Sequence, residues 1–297
     1  ADVFYKGTSM AYGYVLPGAL AQYGLLGEEI LEGDEGCYLL PVQPEMGYAE
    51  MALTEPWACV EASYRIQHRT SLKHGGTLWV IGTANADWSA LRLGEGIHET
   101  CYPLKMLLSD VQGSLREALL DKARDLDIEV AIYDGVSTWI PEDIKRIAGE
   151  HGGSRGIDDI IILGSANADI VEQASRFLCG GGIMNIVASS PLPRKISIDV
   201  GSVHYAAQSY IGSKGPDILE AYPGYRSSRI VRGGTSWFLG AGGPMGQMHV
   251  QRACQIDDGP AVIVATDIDN ERLEHLDKNF GSIGREKGRT YIGINPK

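Results

Sequence analysis

Positive charge is in short supply. The 297 residues hold 26 Lys and Arg against 38 Asp and Glu, a formal net charge of −12. Such a balance repels phosphate backbones and anionic headgroups, which argues against nucleic-acid and membrane partners. The short basic stretches, Arg194-Lys195 and Arg285-Glu286-Lys287, then read as solvated surface. No apolar run approaches the roughly 18 residues that span a bilayer. No basic-then-apolar signal segment follows Ala1. Cysteine is sparse too: Cys37, Cys59, Cys101, Cys179 and Cys254 are odd in number and far apart. With no C-x-x-C, a four-thiolate zinc clip is excluded, and reduced thiols in a cytoplasmic protein are expected. G-x-S-x-G is missing, which removes the hydrolase nucleophile elbow. So is G-x-x-x-x-G-K-[ST], which removes a P-loop kinase or ATPase. There is no initial Met, and strand-like residues stand at both ends, so the chain is expected to be cut from a longer protein.

What is present is glycine in a telling place. Gly240-Ala241-Gly242-Gly243-Pro244-Met245-Gly246 follows the strand-like run Thr235–Leu239. A helix-compatible segment with His249 and Arg252 comes next, then a second strand-like run, Ala261–Thr266, ending on Asp267. Strand, glycine turn, helix, strand and terminal acid is the order of a dinucleotide-binding unit. Gly240, Gly242, Gly243 and Gly246 would let the backbone approach a pyrophosphate, and the helix N-terminus would offer amides to it. Asp267 follows Gly246 at about the 20-residue spacing expected of a ribose-binding acid. The third glycine comes one residue late for G-x-G-x-x-G, so a plain structural turn is the competing reading.

The length allows a full core and two domains. Residues 1 to about 70 are rich in Gly, Pro and Tyr and read as hairpins and loops, closing in a helix over Met51–Arg65. From Gly75 strands and helices alternate. Strands are predicted at Leu78–Ile81, Lys105–Leu108, Glu129–Tyr133, Ile160–Leu163 and Gly182–Val187. Helices are predicted near Leu115–Asp125, Pro141–Glu150 and Ile170–Leu178. That rhythm implies a parallel sheet covered on both faces. From 191 to about 232 it gives way to an irregular β region that includes His204, then restarts at Thr235. The expected division is therefore 1–70, 71–190, 191–232 and 233–297.

Two internal parallels stand out. Ile81–Asp87 and Leu163–Asp169 share a G-[TS]-A-N-A-D core, and each is expected to end a strand and cap a helix. Gly82 and Asp110 in the first block are separated almost as Gly240 and Asp267 are in the last. Two Rossmann-type units are thus expected, and only the second keeps its glycines. In the first, Asp87 would crowd a pyrophosphate. Asp110 and Asp267 both favour NAD over NADP, because a carboxylate opposes a 2′-phosphate. The second unit is favoured for the coenzyme.

Several segments together resemble the medium-chain dehydrogenase superfamily, the zinc-dependent alcohol and polyol dehydrogenases. Leu16–Tyr23 is similar to its G-x-x-A-E-Y strand, and Leu39-Leu40-Pro41-Val42 to a second family segment. Ala52–Val60, with Glu55-Pro56, resembles the A-x-x-E-P-x-A helix of polyol, glucose and threonine dehydrogenases. Ile198–Ala221 is similar to a returning catalytic segment. The branch with the nearest flavour is that of the sorbose-1-phosphate reductases.

The resemblance implies an α/β protein: a Rossmann-type parallel sheet domain, a truncated GroES-like β-rich catalytic domain, and a second Rossmann-like unit at the C-terminus. It implies hydride transfer between NAD and a polyol, sugar phosphate or related secondary alcohol. It also implies catalytic zinc and a homo-oligomer. Of the family's zinc ligands only Glu55 has a counterpart, and the first βαβ block takes the family's coenzyme position. Glu55 and Cys59 would share one helix face, but no His joins them at ligand spacing, and a catalytic zinc needs three protein ligands. The rival reading is a catalytically inactive dinucleotide-binding or scaffold subunit derived from the same family.

Overall fold

The computed structural model describes residues 2–135, 141–153, 155–224 and 226–297. In chain order the elements begin with β1 (Asp2–Tyr5), β2 (Thr8–Ala11), α1 (Glu28–Leu31) and α2 (Tyr48–Ser63). There follow β3 (Thr77–Gly82), β4 (Lys105–Ser109), α3 (Gly113–Asp125), β5 (Glu129–Tyr133), α4 (Pro141–Gly152), β6 (Ile157–Leu163), α5 (Ala168–Ser175) and β7 (Leu178–Val187). The rest are α6 (Val200–Tyr205), β8 (Ser209–Ser213), β9 (Thr235–Leu239), α7 (Pro244–Gln255), β10 (Val262–Thr266), α8 (Asn270–Leu276), a π-helical turn Asp277–Gly281, α9 (Ser282–Glu286) and β11 (Thr290–Ile294). Contacts divide the chain into two compact units. One is continuous, His68–Arg226. The other combines Ala1–Gln67 with Ser227–Lys297.

The continuous unit is built on six parallel strands in the order β5-β4-β3-β6-β7-β8. Numbered within the unit this is 3-2-1-4-5-6, the order of a doubly wound dinucleotide fold. Successive side chains of a strand point to opposite faces, and both faces here are apolar. Leu78, Val80, Met106, Leu108, Ile161 and Leu163 pack on one side with Leu115 and Leu119 of α3. Trp79, Ile81, Leu107, Ile160, Ile162 and Met184 pack on the other with Ile144 and Ile147 of α4 and Val171 and Ala174 of α5. Burying each such side chain contributes about 1.5–3 kcal/mol. The Trp79 indole N–H, fully enclosed, donates to Ser109 Oγ at 2.9 Å.

The discontinuous unit holds a smaller parallel sheet, β11-β10-β9. Helix α7 links β9 to β10, while α8 and α9 link β10 to β11. This is the topology of one half of a Rossmann fold. Its core is Ala241, Val250, Ala253, Cys254, Ile263, Ala265 and Leu276. The buried Arg289 guanidinium donates to the carbonyls of Ala253 and Ile256. A cation there satisfies the orphan carbonyls at the end of α7. The N-terminal flank supplies an antiparallel hairpin, β1 with β2. The Asp34 carboxylate accepts from the amides of Lys6 and Gly7 at its turn, each at 2.8 Å. Among the described residues no helix is long and apolar enough to cross a membrane.

Four local expectations change. The first G-T-A-N-A-D segment ends β3 but opens no helix, and residues 83–104 are irregular. The Asp87 carboxylate accepts from the Ser89 and Ala90 amides and the Ser89 hydroxyl, a local turn that competes with a helical ladder. Ser209–Ser213, read as part of an irregular β region, is the sixth parallel strand. His204 is exposed on the short helix α6 rather than lying in a strand, because Asp199 caps that turn through the Gly201 amide at 2.9 Å. Beyond the first hairpin, residues 12–47 are mostly irregular; Leu16–Tyr23 forms no strand.

Candidate functional site

The glycine turn of the discontinuous unit forms as its sequence requires. Gly240 leaves β9 with φ +65°, a left-handed conformation open to glycine. The Ala241 amide donates to Thr266 O at 2.9 Å and ties the turn to β10. Gly243 caps α7, and Pro244 occupies its first turn, where a missing N–H costs nothing. With Pro244 donating nothing, Met245 and Gly246 carry the first amides that α7 leaves outside its own ladder.

Each glycine does a different job. A Cβ on Gly246 would stand 2.5 Å from Gly240 O and 2.8 Å from Ala241 Cα, so this residue lets the helix close on the strand. The late third glycine therefore still performs the packing role of the motif. A Cβ on Gly242 would meet Arg272 Cβ at 2.5 Å and Asp267 Oδ2 at 2.8 Å. Gly243 is different: a Cβ there would meet nothing closer than 3.6 Å. Its outer side is open.

Asp267 directly follows β10 and is buried. Its Oδ2 accepts from the Gly242 amide at 2.8 Å and its Oδ1 from the Asp269 amide at 3.0 Å. The acid predicted for the ribose thus already organises the turn predicted for the pyrophosphate. Asp269 caps α8 by accepting from the Glu271 and Arg272 amides. Arg272, whose side chain lies over Gly242, was not singled out in the sequence. An Arg shortly after the acid at the start of the next helix was the available signal. Arg272 is exposed and sits 3.5 Å from Asp269.

Helix α2 packs against α7 in the same unit. Its Tyr64 hydroxyl meets His249 Nδ1 at 2.8 Å, and its Glu61 accepts from Arg252 Nε at 2.6 Å and Nη2 at 3.2 Å. The Arg252 guanidinium also stacks 4.2 Å over the Tyr64 ring. Burial, with a smaller push from Arg252, lowers the His249 pKa. Arg252 hydrogen bonding pulls the Glu61 carboxyl below its usual range.

Glu55 stands in the middle of α2, not in its first turn. The helix begins at Tyr48, capped where the Glu50 carboxylate accepts from the Gly47 amide at 2.8 Å, and Pro56 is carried inside it. Cys59 Sγ donates to Glu55 Oε1 at 3.4 Å, so the two do share a face, and that hydrogen bond raises the thiol pKa. Among the described residues no group of three or more His, Cys, Asp or Glu could hold a metal. Glu55 and Cys59 alone do not make a catalytic zinc site.

Gly82 and Asp110 are brought together in the other unit, but against one another. A Cβ on Gly82 would stand 2.4 Å from Asp110 O and 2.6 Å from Trp88. Asp110 has φ +51°, and its carboxylate accepts from the Gly135 amide at 2.7 Å. Between β3 and β6, where the strand order reverses, polar side chains fill the crevice. Thr83 Oγ1 donates to Leu163 O at 2.8 Å. Asn85 accepts from the Ser165 amide at 2.8 Å and donates to Ser165 Oγ at 3.1 Å. A Cβ on Gly164 would meet Thr83 Oγ1 at 2.5 Å. The repeated G-[TS]-A-N-A-D segments are thus the two halves of one hydrogen-bonded stitch.

No family model matches the chain. A curated protein, mannitol-1-phosphate 5-dehydrogenase of Aliivibrio fischeri, is 28% identical over 225 residues, covering 70% of this chain and 51% of that protein. The chain spans about half the length of this relative. Among solved structures, benzyl alcohol dehydrogenase from Acinetobacter calcoaceticus is 14% identical with a TM-score of 0.32, covering 86% of this chain and 59% of that one. For 2R,3R-butanediol dehydrogenase from Bacillus subtilis the values are 15%, 0.31, 86% and 60%. In its motifs the chain resembles the medium-chain alcohol and polyol dehydrogenases.

Proposed function

We propose that the protein to which this chain belongs is an oxidoreductase that transfers a hydride between NAD and a polyol, sugar phosphate or related secondary alcohol. The observation that carries the proposal is the β9–glycine turn–α7 unit with Asp267 hydrogen-bonded to the Gly242 amide. When bound, the coenzyme supplies the hydride chemistry. The chain's own residues bind and orient it. The open side of Gly243 and the first amides of α7 suit a pyrophosphate, and Asp267 suits a ribose diol. The A. fischeri relative supports a polyol phosphate as the substrate class. Zinc assistance, implied by the resemblance, needs ligands that the described residues do not bring together. Homo-oligomer formation and a cytoplasmic location belong to the same proposal.

The competing reading, an inactive coenzyme-binding subunit, is favoured by that missing ligand cluster. Alcohol-dependent NADH formation by the whole protein separates the two. Coenzyme binding itself is tested on this chain by NADH and NADPH titration. Trp237 on β9, its indole donating to Thr266 Oγ1 at 3.2 Å, is the donor for energy transfer to bound NADH. Removing the carboxylate in Asp267→Ser should weaken NADH binding about tenfold and narrow the gap to NADPH, by the energy of a charge-assisted hydrogen bond. A chain that shows neither energy transfer nor a thermal shift with either coenzyme would overturn the proposal.

A further inference from the structure

The family position gives the coenzyme to the first βαβ block, yet contacts divide the chain elsewhere. Residues 1–67 and 227–297 form one unit, interrupted by 68–226. On the discontinuous side of the interruption, the Ile66 amide donates to Ser228 Oγ at 3.0 Å, so the two flanks are joined where the chain leaves and returns. On the continuous side, Arg226 donates to the Arg69 carbonyl. Both limbs of the excursion also close on a single buried carboxylate, Asp159 on β6, which is 1% exposed. From the outgoing limb, Arg69 Nη1 reaches its two oxygens at 2.8 and 2.9 Å and the Lys73 amide donates at 2.8 Å. From the returning limb, the Tyr222 hydroxyl donates at 3.0 Å.

The piece so closed is complete in itself. It has all six strands of a doubly wound sheet and two covered faces. The flanks retain what the piece lacks. No helix starts after β3, so no N-terminus is offered there to a pyrophosphate. The crevice between β3 and β6 is occupied by Thr83, Asn85 and Ser165 bonded to one another and to the strand ends. In the flanks, α7 starts directly after the glycine turn and Gly243 is open.

We infer that residues 68–226 are a self-contained Rossmann-like domain inserted into a coenzyme-binding unit made by 1–67 and 227–297, and that the flanks alone take the coenzyme. Domain insertion of this kind is tolerated where the termini of the guest lie together. Sequence order conceals it, because the guest has the same fold type as the host's βαβ unit and precedes that unit along the chain. The second half of the inference rests on the proposed coenzyme binding; the first half does not.

The test is hydrogen exchange read by mass spectrometry on the whole chain at graded denaturant, with and without NADH. Peptides from 68–226 should open as one cooperative group, and those from 1–67 and 227–297 as another. Tyr222→Phe should raise the opening equilibrium of the first group at least about tenfold, the size of a lost hydrogen bond to a charge, and leave the second unchanged. NADH should protect peptides within 235–272 and none within 77–220. If peptides of both groups open together, or Tyr222→Phe loosens both, the insertion is overturned. If NADH protects peptides around Gly82 and Asp110, the assignment of the coenzyme to the flanks is overturned. Two separate groups with no NADH protection anywhere would uphold the insertion and sink the coenzyme proposal instead. Should Tyr222→Phe fail to fold, the grouping in the unsubstituted chain still decides.

Discussion

Gly243 and Gly246 sit three residues apart and should answer the same substitution in opposite ways. Gly246→Ala forces a methyl to within 2.5 Å of backbone, which cannot yield cheaply, and should destabilise the discontinuous unit by about 1–3 kcal/mol. Gly243→Ala meets only an ordinary contact, 3.6 Å from Gly240 O, at an ordinary φ of −73°, so the fold should melt unchanged while NADH affinity falls, since the added methyl would occupy the side proposed for the pyrophosphate. Thermal melting and titration of the two variants separate packing from binding.

A second residue-scale expectation concerns the Arg69–Asp159 pair. Burial pushes the Asp159 carboxyl above its usual range, opposed chiefly by Arg69. Arg69→Ala strips the counter-charge from a carboxylate 2% exposed and should cost about 3 kcal/mol at neutral pH, read from the urea midpoint of the Trp79 signal. A carboxyl whose folded pKa is raised favours the fold when protonated. The deficit of the variant should therefore shrink as pH falls through that raised value toward the ordinary range near about 4.

Most elements were legible because most obey a period. The rhythm of short, nearly unbroken apolar runs at β3, β4 and β6 between the apolar stripes of α3 and α4 marked strand and helix positions to within a few residues. The glycine turn was legible for a stronger reason, since few other residues adopt φ +65° or allow α7 so close to β9. Where side chains bond to their own backbone, pattern reading failed. Asp87 turned an expected helix into a loop, and Asp199 turned an expected strand at His204 into a helical turn. The helix expected over Met51–Arg65 begins three residues upstream, at Tyr48, and carries Pro56 inside.

The contact of α2 with α7 was invisible in sequence, since Tyr64 and His249 lie far apart along the chain. It yields a pH expectation. Burial holds His249 below the ordinary imidazole value, so the fold prefers the neutral ring. A lowered pKa of this sign makes its contribution present above about 6.5 and lost as pH falls below it. The discontinuous unit should weaken on acidification through that range, and His249→Gln should flatten the profile in thermal melts monitored by Trp237.

At the scale of the molecule, the five thiols report on both units at once. Cys37 and Cys59 are exposed, while Cys101, Cys179 and Cys254 are buried. Burial raises Cys179 and Cys254 each to about 11. A thiol-specific reagent at neutral pH should titrate two groups rapidly in the folded chain and five in denaturant. Cys37 should lead, because the Cys59 thiol donates a hydrogen bond to Glu55, which disfavours the thiolate.

Two domains of one fold type along a chain invite the assumption that they are copies read in series. Nesting has a different corollary. Where Ile66 and Ser228 already touch, a short peptide could bridge them, and the host would lose nothing from its own hydrophobic interior. That junction is a natural splice point. A reporter or a foreign binding module with neighbouring ends could be grafted there, and the glycine-turn half downstream would be handed on intact.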